Sequence, residues 1–328
     1  MALRRCAVSA GCLVVVLPIW TGCRSAAVDS RVPLPTWDVD RAEVVHWRSD
    51  HPSFDQRFAL EASGLAASQR FLYVASEKYA RLLQIDLSPD PRARVTALAV
   101  PPHSELEGVA LHDGTLYLCD EANAAVYSAH LGDEQQLAVE PEHRSIEARE
   151  LIVQGVRVQG NKIGFEGIEV SPDGRLLYVL LERSGDEASG CSAKIYRQRN
   201  RKGYLELEED PLEVVLEDCT WRLTGLAWWG KRLLALKTQF PGERYQVVMI
   251  DPKSGEWKVV LELTEILRSL EEEGWSNNVE GIAVTSDGAL WLVADNAVTG
   301  VIDEPLPPRT DQRTLLLRIP LGGGGMYN

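Results

Sequence analysis

Three Glu-Gly pairs, Glu107-Gly108, Glu166-Gly167 and Glu280-Gly281, each open a short apolar run, and each is answered by a second run that ends in acid: Asp120-Glu121, Glu182 and Asp295. Two more positions repeat the pattern with altered chemistry. Ser63-Gly64 is answered by Glu77, and Thr224-Gly225 by Lys237-Thr238. Carboxylates gathered at one cavity cannot all stay ionised unless a cation or proton offsets their repulsion. Oxygen-only donors suit a hard divalent ion, and Ca²⁺ accepts a loose carboxylate set more readily than Mg²⁺. Zn²⁺ would ask for His or Cys, and neither recurs at these positions. The expected metal ligands are therefore Glu107, Glu166 and Glu280, with Glu77, Asp120, Glu121, Glu182 and Asp295 around them. The same side chains could instead brace neighbouring strands by accepting backbone N–H groups. Asymmetry favours the ion, because a bracing device should recur in every unit. Ser63, Thr224, Lys237 and Arg183 interrupt the acidic pattern and are the candidate contacts to an anionic ligand.

Motifs for organic catalysis are missing. There is no GxSxG elbow and no HExxH helix, so the serine-hydrolase and zincin readings lack their reacting groups. The RHGxRxP run of histidine acid phosphatases is not matched by His143-Arg144-Ser145. Cys191 and Arg197 satisfy the CxxxxxR spacing of cysteine phosphatases, but the residues between them alternate like a strand and contain no Gly to wrap a phosphate. No catalytic residue is assigned. Any hydrolysis would have to be metal-assisted, with one ring carboxylate as general base.

The elements that must carry these residues follow from the repeat itself. The five heads at Ser63, Glu107, Glu166, Thr224 and Glu280 are each followed by a tight turn, a second run and a third, such as RLLQIDL, AAVYSAHL and YQVVMID. Candidate fourth strands are RVTALAV, YLELEED with PLEVVLE, and EWKVVLELT. Four antiparallel strands repeated radially make a β-propeller blade, so the expected fold is all-β, a five-bladed β-propeller. The last blade lacks its outer strand, and the strand-like AEVVHWR at residues 42–48 is expected to supply it. A β-sandwich is the competing reading, but it does not require equivalent heads. One helical patch, residues 263–275, reads as a surface insertion between blades 4 and 5. In a propeller the first strands line the axis, so the heads should gather at one mouth of an axial channel.

The 328 residues carry a net charge of -14, which disfavours nucleic acid or anionic lipid as partners and favours cations. Arg4 and Arg5, the apolar segment Ala7 to Trp20, and Thr21-Gly22-Cys23 look like a bacterial lipoprotein signal. On that likeness residues 1–22 are removed, Cys23 is lipidated, 23–36 form a Pro-stiffened tether, 37–321 the propeller and 322–328 a Gly-rich tail. Cleavage after Ala27 is the alternative. Either route places the domain outside the cytoplasm, in the cell envelope, touching membrane only through a lipid. Cys191 and Cys219 flank one repeat in polar surroundings and can pair in an oxidising compartment, although sequence fixes no distance between them. Cys119 alternates into an apolar strand and reads as a buried small hydrophobe.

NKIGFEGIEVSPDGRLLYVLLER (161–183) and NNVEGIAVTSDGALWLVADN (277–296) resemble signature segments of the esterase-like phytase domain. SGLAAS and LEGVALHDGTLYLCDE are similar to the SdiA-regulated propeller family. The first resemblance implies phosphoester hydrolysis on a phosphorylated small molecule, and the second a five-bladed propeller with bound Ca²⁺. Both support Glu107, Glu166 and Glu280 as acidic heads and mark Thr224 as a departure. The alternative is a non-catalytic Ca²⁺-binding module for binding, sensing or scaffolding in the envelope.

Overall fold

Each first strand of the fold breaks step with its partner at the head residue or the glycine after it, and that shared irregularity organises the molecule. The computed structural model describes residues 34–49, 55–131, 145–153, 164–186, 190–201, 204–208, 210–296 and 309–322. The signal segment, Cys23 and most of the tether and tail lie outside them. After the short strands β1 (Glu43–Val44) and β2 (Arg48–Ser49), blade 1 is β3 (Ala62–Ala67), β4 (Phe71–Ser76), β5 (Arg81–Asp86) and β6 (Arg92–Ala99). Blade 2 is β7 (Leu106–His112), β8 (Thr115–Asp120), β9 (Ala125–His130) and β10 (Ser145–Val153). Blade 3 is β11 (Phe165–Val170), β12 (Leu176–Asp186) and β13 (Gly190–Arg201), whose outer edge pairs with both β14 (Tyr204–Leu207) and β15 (Leu212–Val215). Blade 4 is β16 (Trp221–Trp229), β17 (Arg232–Gln239), β18 (Arg244–Ile250) and β19 (Trp257–Glu262). Blade 5 is β20 (Asn278–Val284), β21 (Leu290–Asp295), β22 (Leu316–Ile319) and, returning from the N-terminus, β1.

The expected closure is present. Glu43 pairs with Arg318 and Val44 with Leu317, antiparallel. The segment then does more than predicted, since β2 pairs in parallel with β6 of blade 1. One stretch thus fastens blade 5 and reaches blade 1. A second lateral fastener, β10, was not recognised as a strand because Glu147, Arg149 and Glu150 blur its alternation. It pairs with β9 of its own blade, with β6 of blade 1 and with β14 of blade 3.

Five hydrophobic clusters form the core, one between each pair of neighbouring blades, and the cluster joining Leu65, Val74 and Leu83 to Trp291, Val293 and Leu316 closes the ring. Burying these alternating aliphatic faces is the main stabilising effect. The helix α1 (Thr264–Glu272) lies between blades 4 and 5 as expected, but it is no free insertion. Leu267 and Leu270 are buried in the cluster between those blades.

The axial channel expected from sequence is closed. A Cβ on Gly64 would stand 2.5 Å from the Val109 nitrogen, one on Gly108 2.9 Å from the Gly167 Cα, and one on Gly167 3.3 Å from Gly225. On Gly225 it would meet the Glu280 carbonyl oxygen at 2.5 Å, and on Gly281 the Ser63 carbonyl oxygen at 2.6 Å. The five head glycines therefore form a closed circle of backbone against backbone. The cavity left among them measures about 10 Å³, no more than one water needs. Small residues at the axis let five strands converge until no passage survives.

Candidate functional site: an acidic mouth above a closed axis

Register explains where each acid goes. The first and second strands of the blades pair Ala62 with Ser76, Leu106 with Asp120, Phe165 with Leu181, Leu223 with Lys237 and Val279 with Ala294. One residue further along the second strands come Glu77, Glu121, Glu182, Thr238 and Asp295. Successive side chains of a strand point to opposite faces. These five therefore share one side, and Ser76, Asp120, Leu181, Lys237 and Ala294 share the other, against the preceding blade.

Two expectations fail on that parity. Asp120 is fully buried and accepts hydrogen bonds from the Glu105 and Asn123 backbone N–H groups, from Asn123 Nδ2 at 2.8 Å and from the Tyr127 hydroxyl at 3.1 Å. It braces blade 2. Lys237 is likewise 0% exposed, with its ammonium 2.6 Å from Glu217 and 3.1 Å from Gln246, and 3.7 Å and 4.5 Å from the ring centroids of Trp221 and Trp257. It faces the boundary of blades 3 and 4 and offers nothing to a ligand at the mouth. Ser63 is also occupied, donating to the Leu106 carbonyl oxygen at 2.5 Å. Thr224 is buried with its hydroxyl lacking a hydrogen-bond partner among the described residues. The side chain of Arg183 lies outside the described residues.

The heads project through β-bulges. Pairing skips between Leu106 and Gly108, Phe165 and Gly167, and Val279 and Gly281, so Glu107, Glu166 and Glu280 are the residues left out of the ladder. A bulge bends the strand and re-aims the extra side chain. In blade 4 the skip moves one place. Thr224 stays paired with Leu236, and Gly225, with φ +48°, is the bulged residue. The substitution of Thr for Glu is therefore accompanied by a shift of the bulge itself.

A third tier was missed in the sequence. Two residues before each head stand Glu61, Glu105, Gly164, Arg222 and Asn278, directly across from Glu77, Glu121, Glu182, Thr238 and Asp295. Its members are Glu in blades 1 and 2 and Gly, Arg and Asn in the other three, and they divide the mouth into sectors. In blade 1, Lys78 forms ion pairs with Glu61 and Glu77. In blade 4, Arg222 donates from Nη1 to Glu182 at 3.1 Å and from Nε to the Thr238 hydroxyl at 3.1 Å, and its Nη2 lies 3.5 Å from Glu280. Asn278 in blade 5 donates to Glu280 at 3.0 Å and to Asp295 at 3.3 Å, leaving Asp295 Oδ1 buried without a partner among the described residues. Gly164 in blade 3 is empty by identity: a Cβ there would fall 1.9 Å from Cγ of Glu121. That missing side chain lets Glu121 of blade 2 lie across onto blade 3, toward Glu166.

Crowding of like charge shows in the proton affinities. Glu107 and Glu166, 7% and 8% exposed, are pushed well above the carboxylate range, first by burial. The neighbours that push Glu107 further are Glu166, Glu77, Glu280 and Glu121, all acids. Glu166 feels Glu182, Glu280 and Glu121, with Arg222 pulling the other way. Burial followed by surrounding carboxylates raises Asp295 to about 8. Glu77 is raised to about 7, by burial against the opposing pull of Lys78. Glu121 and Glu280 are raised too, again chiefly by burial. Among the described residues no three of these groups already stand in an arrangement that could hold an ion.

A five-bladed propeller whose mouth collects carboxylates from four blades and a guanidinium from the remaining one defines the class. The family model Phytase-like, described as esterase-like activity of phytase, matches residues 102–298, more than half of the chain, and the chain belongs to this family. No curated protein matches it significantly in sequence. Among solved structures it is similar to the PQQ-bound aldose sugar dehydrogenase of Streptomyces coelicolor, at 17% identity and TM-score 0.50, over 87% of this chain and 99% of that one. It also matches the glutaminyl cyclase of Myxococcus xanthus at 15% identity and TM-score 0.48, over 85% and 97% of the two chains. At such identity the dehydrogenase likeness concerns the fold alone.

Proposed function

We propose that the mouth is a divalent-cation site, Ca²⁺ by its donor chemistry, in an exported phytase-like propeller acting on phosphoesters of small molecules. The observation that carries this is the pair Glu107 and Glu166: both are buried, both have their proton affinity raised by that burial and then by neighbouring acids, and neither makes a hydrogen bond or ion pair among the described residues. The donors are all carboxylate oxygens, which fits a hard ion. Glu121, cradled by Gly164, supplies a third oxygen donor to the same sector. The described placement is not a finished coordination shell, so side-chain rotation must accompany loading.

Bound there, the ion would supply charge neutralisation for phosphate oxygens and orientation of a water. The chain's own groups have definable roles. Glu107 and Glu166, with Glu121, would hold the ion. Arg222 keeps Glu182 and Glu280 turned toward blade 4. Glu77, raised to about 7, is poised to take up a proton near neutral pH, as a general base must. Export is supported by the bond between Cys191 and Cys219, whose Cα atoms are 5.2 Å apart, since such bonds persist in oxidising compartments. Anchorage at Cys23 belongs to the same reading. Among the described residues no helix is long and apolar enough to cross a membrane.

A second reading keeps the ion and drops the chemistry, making the domain a Ca²⁺-dependent binding or sensing module. The closed axis favours it, because a substrate cannot pass into an axial channel. Phosphate release from phytate and from an aryl phosphate, assayed in Ca²⁺ and in chelator, separates the two. Ca²⁺-dependent release supports the enzyme. Absence of release together with a Ca²⁺-dependent melting temperature supports the module, and absence of both refutes the cation site.

A further inference from the structure

The third tier divides the mouth, and two of its sectors hold a cation that belongs to the chain: Lys78 between Glu61 and Glu77 in blade 1, and Arg222 in blade 4. Blade 4 carries no acid in any tier: Thr224 at the head, Thr238 on the partner strand and Arg222 two residues before the head. Its arginine spends three different nitrogens on three residues of three blades, namely Glu182 of blade 3, Thr238 of its own blade and Glu280 of blade 5. The guanidinium is thus spread between two carboxylates that would otherwise face each other over blade 4. Its side chain is only 23% exposed.

We propose that Arg222 is a built-in occupant of one cation position of the mouth, and that it sets both how many exogenous cations the ring accepts and where they bind. This rests on reading the mouth as a cation site. Asp295 independently points to unmet demand elsewhere in the ring: it is 5% exposed, and its Oδ1 has no partner among the described residues. The acids thus outnumber the chain's own cations. An added ion is confined to the side of Glu107, Glu166 and Glu121, where Gly164 leaves room, and is kept from the Glu182–Glu280 gap by the guanidinium already in it. Arg222 is a positioning residue in this scheme, since it acts through the carboxylates it holds.

The test counts and locates ions without reference to activity. Chelator-stripped full-length protein and the variants Arg222→Gln and Arg222→Lys are titrated with Ca²⁺ calorimetrically, and each is melted with and without Ca²⁺. Arg222→Gln is expected to melt lower in chelator, to regain its midpoint in Ca²⁺ and to bind about one further ion per chain, or the same number roughly tenfold more tightly, the equivalent of ~1.4 kcal/mol. Arg222→Lys keeps a charge in the gap and should retain the wild-type stoichiometry. A folded Arg222→Gln with wild-type stoichiometry and affinity overturns the proposal. If that variant does not fold, wild-type crystals soaked in Mn²⁺ decide. Anomalous density beside Glu107 and Glu166 with none between Glu182 and Glu280 upholds the proposal, and density in that gap, with Arg222 displaced, ends it. Wild-type protein that binds no divalent ion refutes the underlying reading instead, and a variant that then acquires a Ca²⁺ site would still uphold the role of Arg222.

Discussion

The axis and the mouth are a few ångströms apart and follow opposite rules. At the axis all five blades carry glycine, each packed against the backbone of the next. At the mouth no two blades carry the same set: Glu61, Ser63 and Glu77 in blade 1, Glu105, Glu107 and Glu121 in blade 2, Gly164, Glu166 and Glu182 in blade 3, Arg222, Thr224 and Thr238 in blade 4, Asn278, Glu280 and Asp295 in blade 5. Uniformity marks a packing requirement imposed by the fold. Variation at equivalent positions marks a place where the fold is indifferent and charge arrangement matters. The glycine is a condition for five strands to meet, whereas the residue before it can be Ser, Thr or Glu without altering the blade count.

The sharpest way to break this contrast is to give the axis a side chain. Gly225→Ala puts a Cβ 2.5 Å from the Glu280 carbonyl oxygen at a residue with φ +48°, so it meets both a backbone clash and an unfavourable conformation. The expected loss is about 3 kcal/mol, combining overpacking with left-handed strain. Urea unfolding should show it, and added Ca²⁺ should not recover it. Recovery by Ca²⁺ would mean that axis and mouth are not separate.

Much of this division was legible before any coordinates. Recurrent Gly after a variable head gave the blade count and the close axial approach, since both depend on residue identity alone. The ring closure by residues 43–44 was legible because blade 5 was visibly one strand short. Parity was not. Asp120 and Glu121 are adjacent letters, as are Lys237 and Thr238, and only the pairing register says which of each pair faces the mouth. The third tier did have a signal, a constant offset of two from every head, but only Glu61 and Glu105 share a chemistry, and Gly164, Arg222 and Asn278 keep the five from announcing themselves as a set. The closed axis escaped for a metrical reason. Sequence shows that Cβ atoms are absent, not how far five backbones move inward to use the space.

The mouth should respond to conditions that leave the axis untouched. Glu77, Glu107, Glu121, Glu166, Glu280 and Asp295 titrate higher in the folded chain than in the unfolded one, so the sign is opposite to that of a carboxylate whose folded value is depressed. Below the ordinary carboxylate range both states hold the proton and there is no penalty. The penalty grows as pH rises from that range and levels off only above about 7 for Glu77 and about 8 for Asp295. In chelator the melting temperature is therefore expected to fall by several degrees from pH 6 to pH 9, and Ca²⁺ should restore it at pH 9 while doing little at pH 6. Glu107→Gln should flatten the chelator profile and weaken the Ca²⁺ response together. A wild-type profile that is level in chelator would remove charge repulsion from the account.

A smaller change sharpens the contrast within the mouth. Gly164→Ala adds one methyl group where Glu121 now lies, 1.9 Å from a Cγ that can swing aside and 2.9 Å from a Cβ that cannot. The residual overpacking should cost about 1 kcal/mol of stability. Ca²⁺ affinity, in contrast, should drop roughly tenfold, the equivalent of about 1.4 kcal/mol, as Glu121 leaves the sector. Titration calorimetry reads the two apart. Unchanged affinity would show that Glu121 is not a ligand and that the ion, if bound, relies on Glu107 and Glu166 alone.

The smallest expected effect tests parity itself. Lys237→Met keeps an unbranched apolar stem between Trp221 and Trp257 and removes the buried ammonium. Glu217, its ion-pair partner, has a side chain 48% exposed, so the carboxylate can turn to water once the lysine is gone. Replacing a buried charge with a hydrophobe of similar volume is often close to neutral, so the net change in unfolding free energy should stay within about 1 kcal/mol. Gln246 stays anchored by the hydrogen bond its amide nitrogen donates to Glu262 at 2.6 Å, although its Oε1 loses the lysine donor. Because Lys237 faces the boundary of blades 3 and 4, Ca²⁺ stoichiometry and affinity should match the wild type. Thr238, one residue on and facing Arg222, gives the paired control: Thr238→Val takes away the acceptor of Arg222 Nε and should change Ca²⁺ affinity, although its exposure and position in the strand are nearly the same. If Lys237→Met altered cation binding and Thr238→Val did not, the assignment of faces along β17 would be reversed, and with it the whole division of the second-strand acids into mouth and brace.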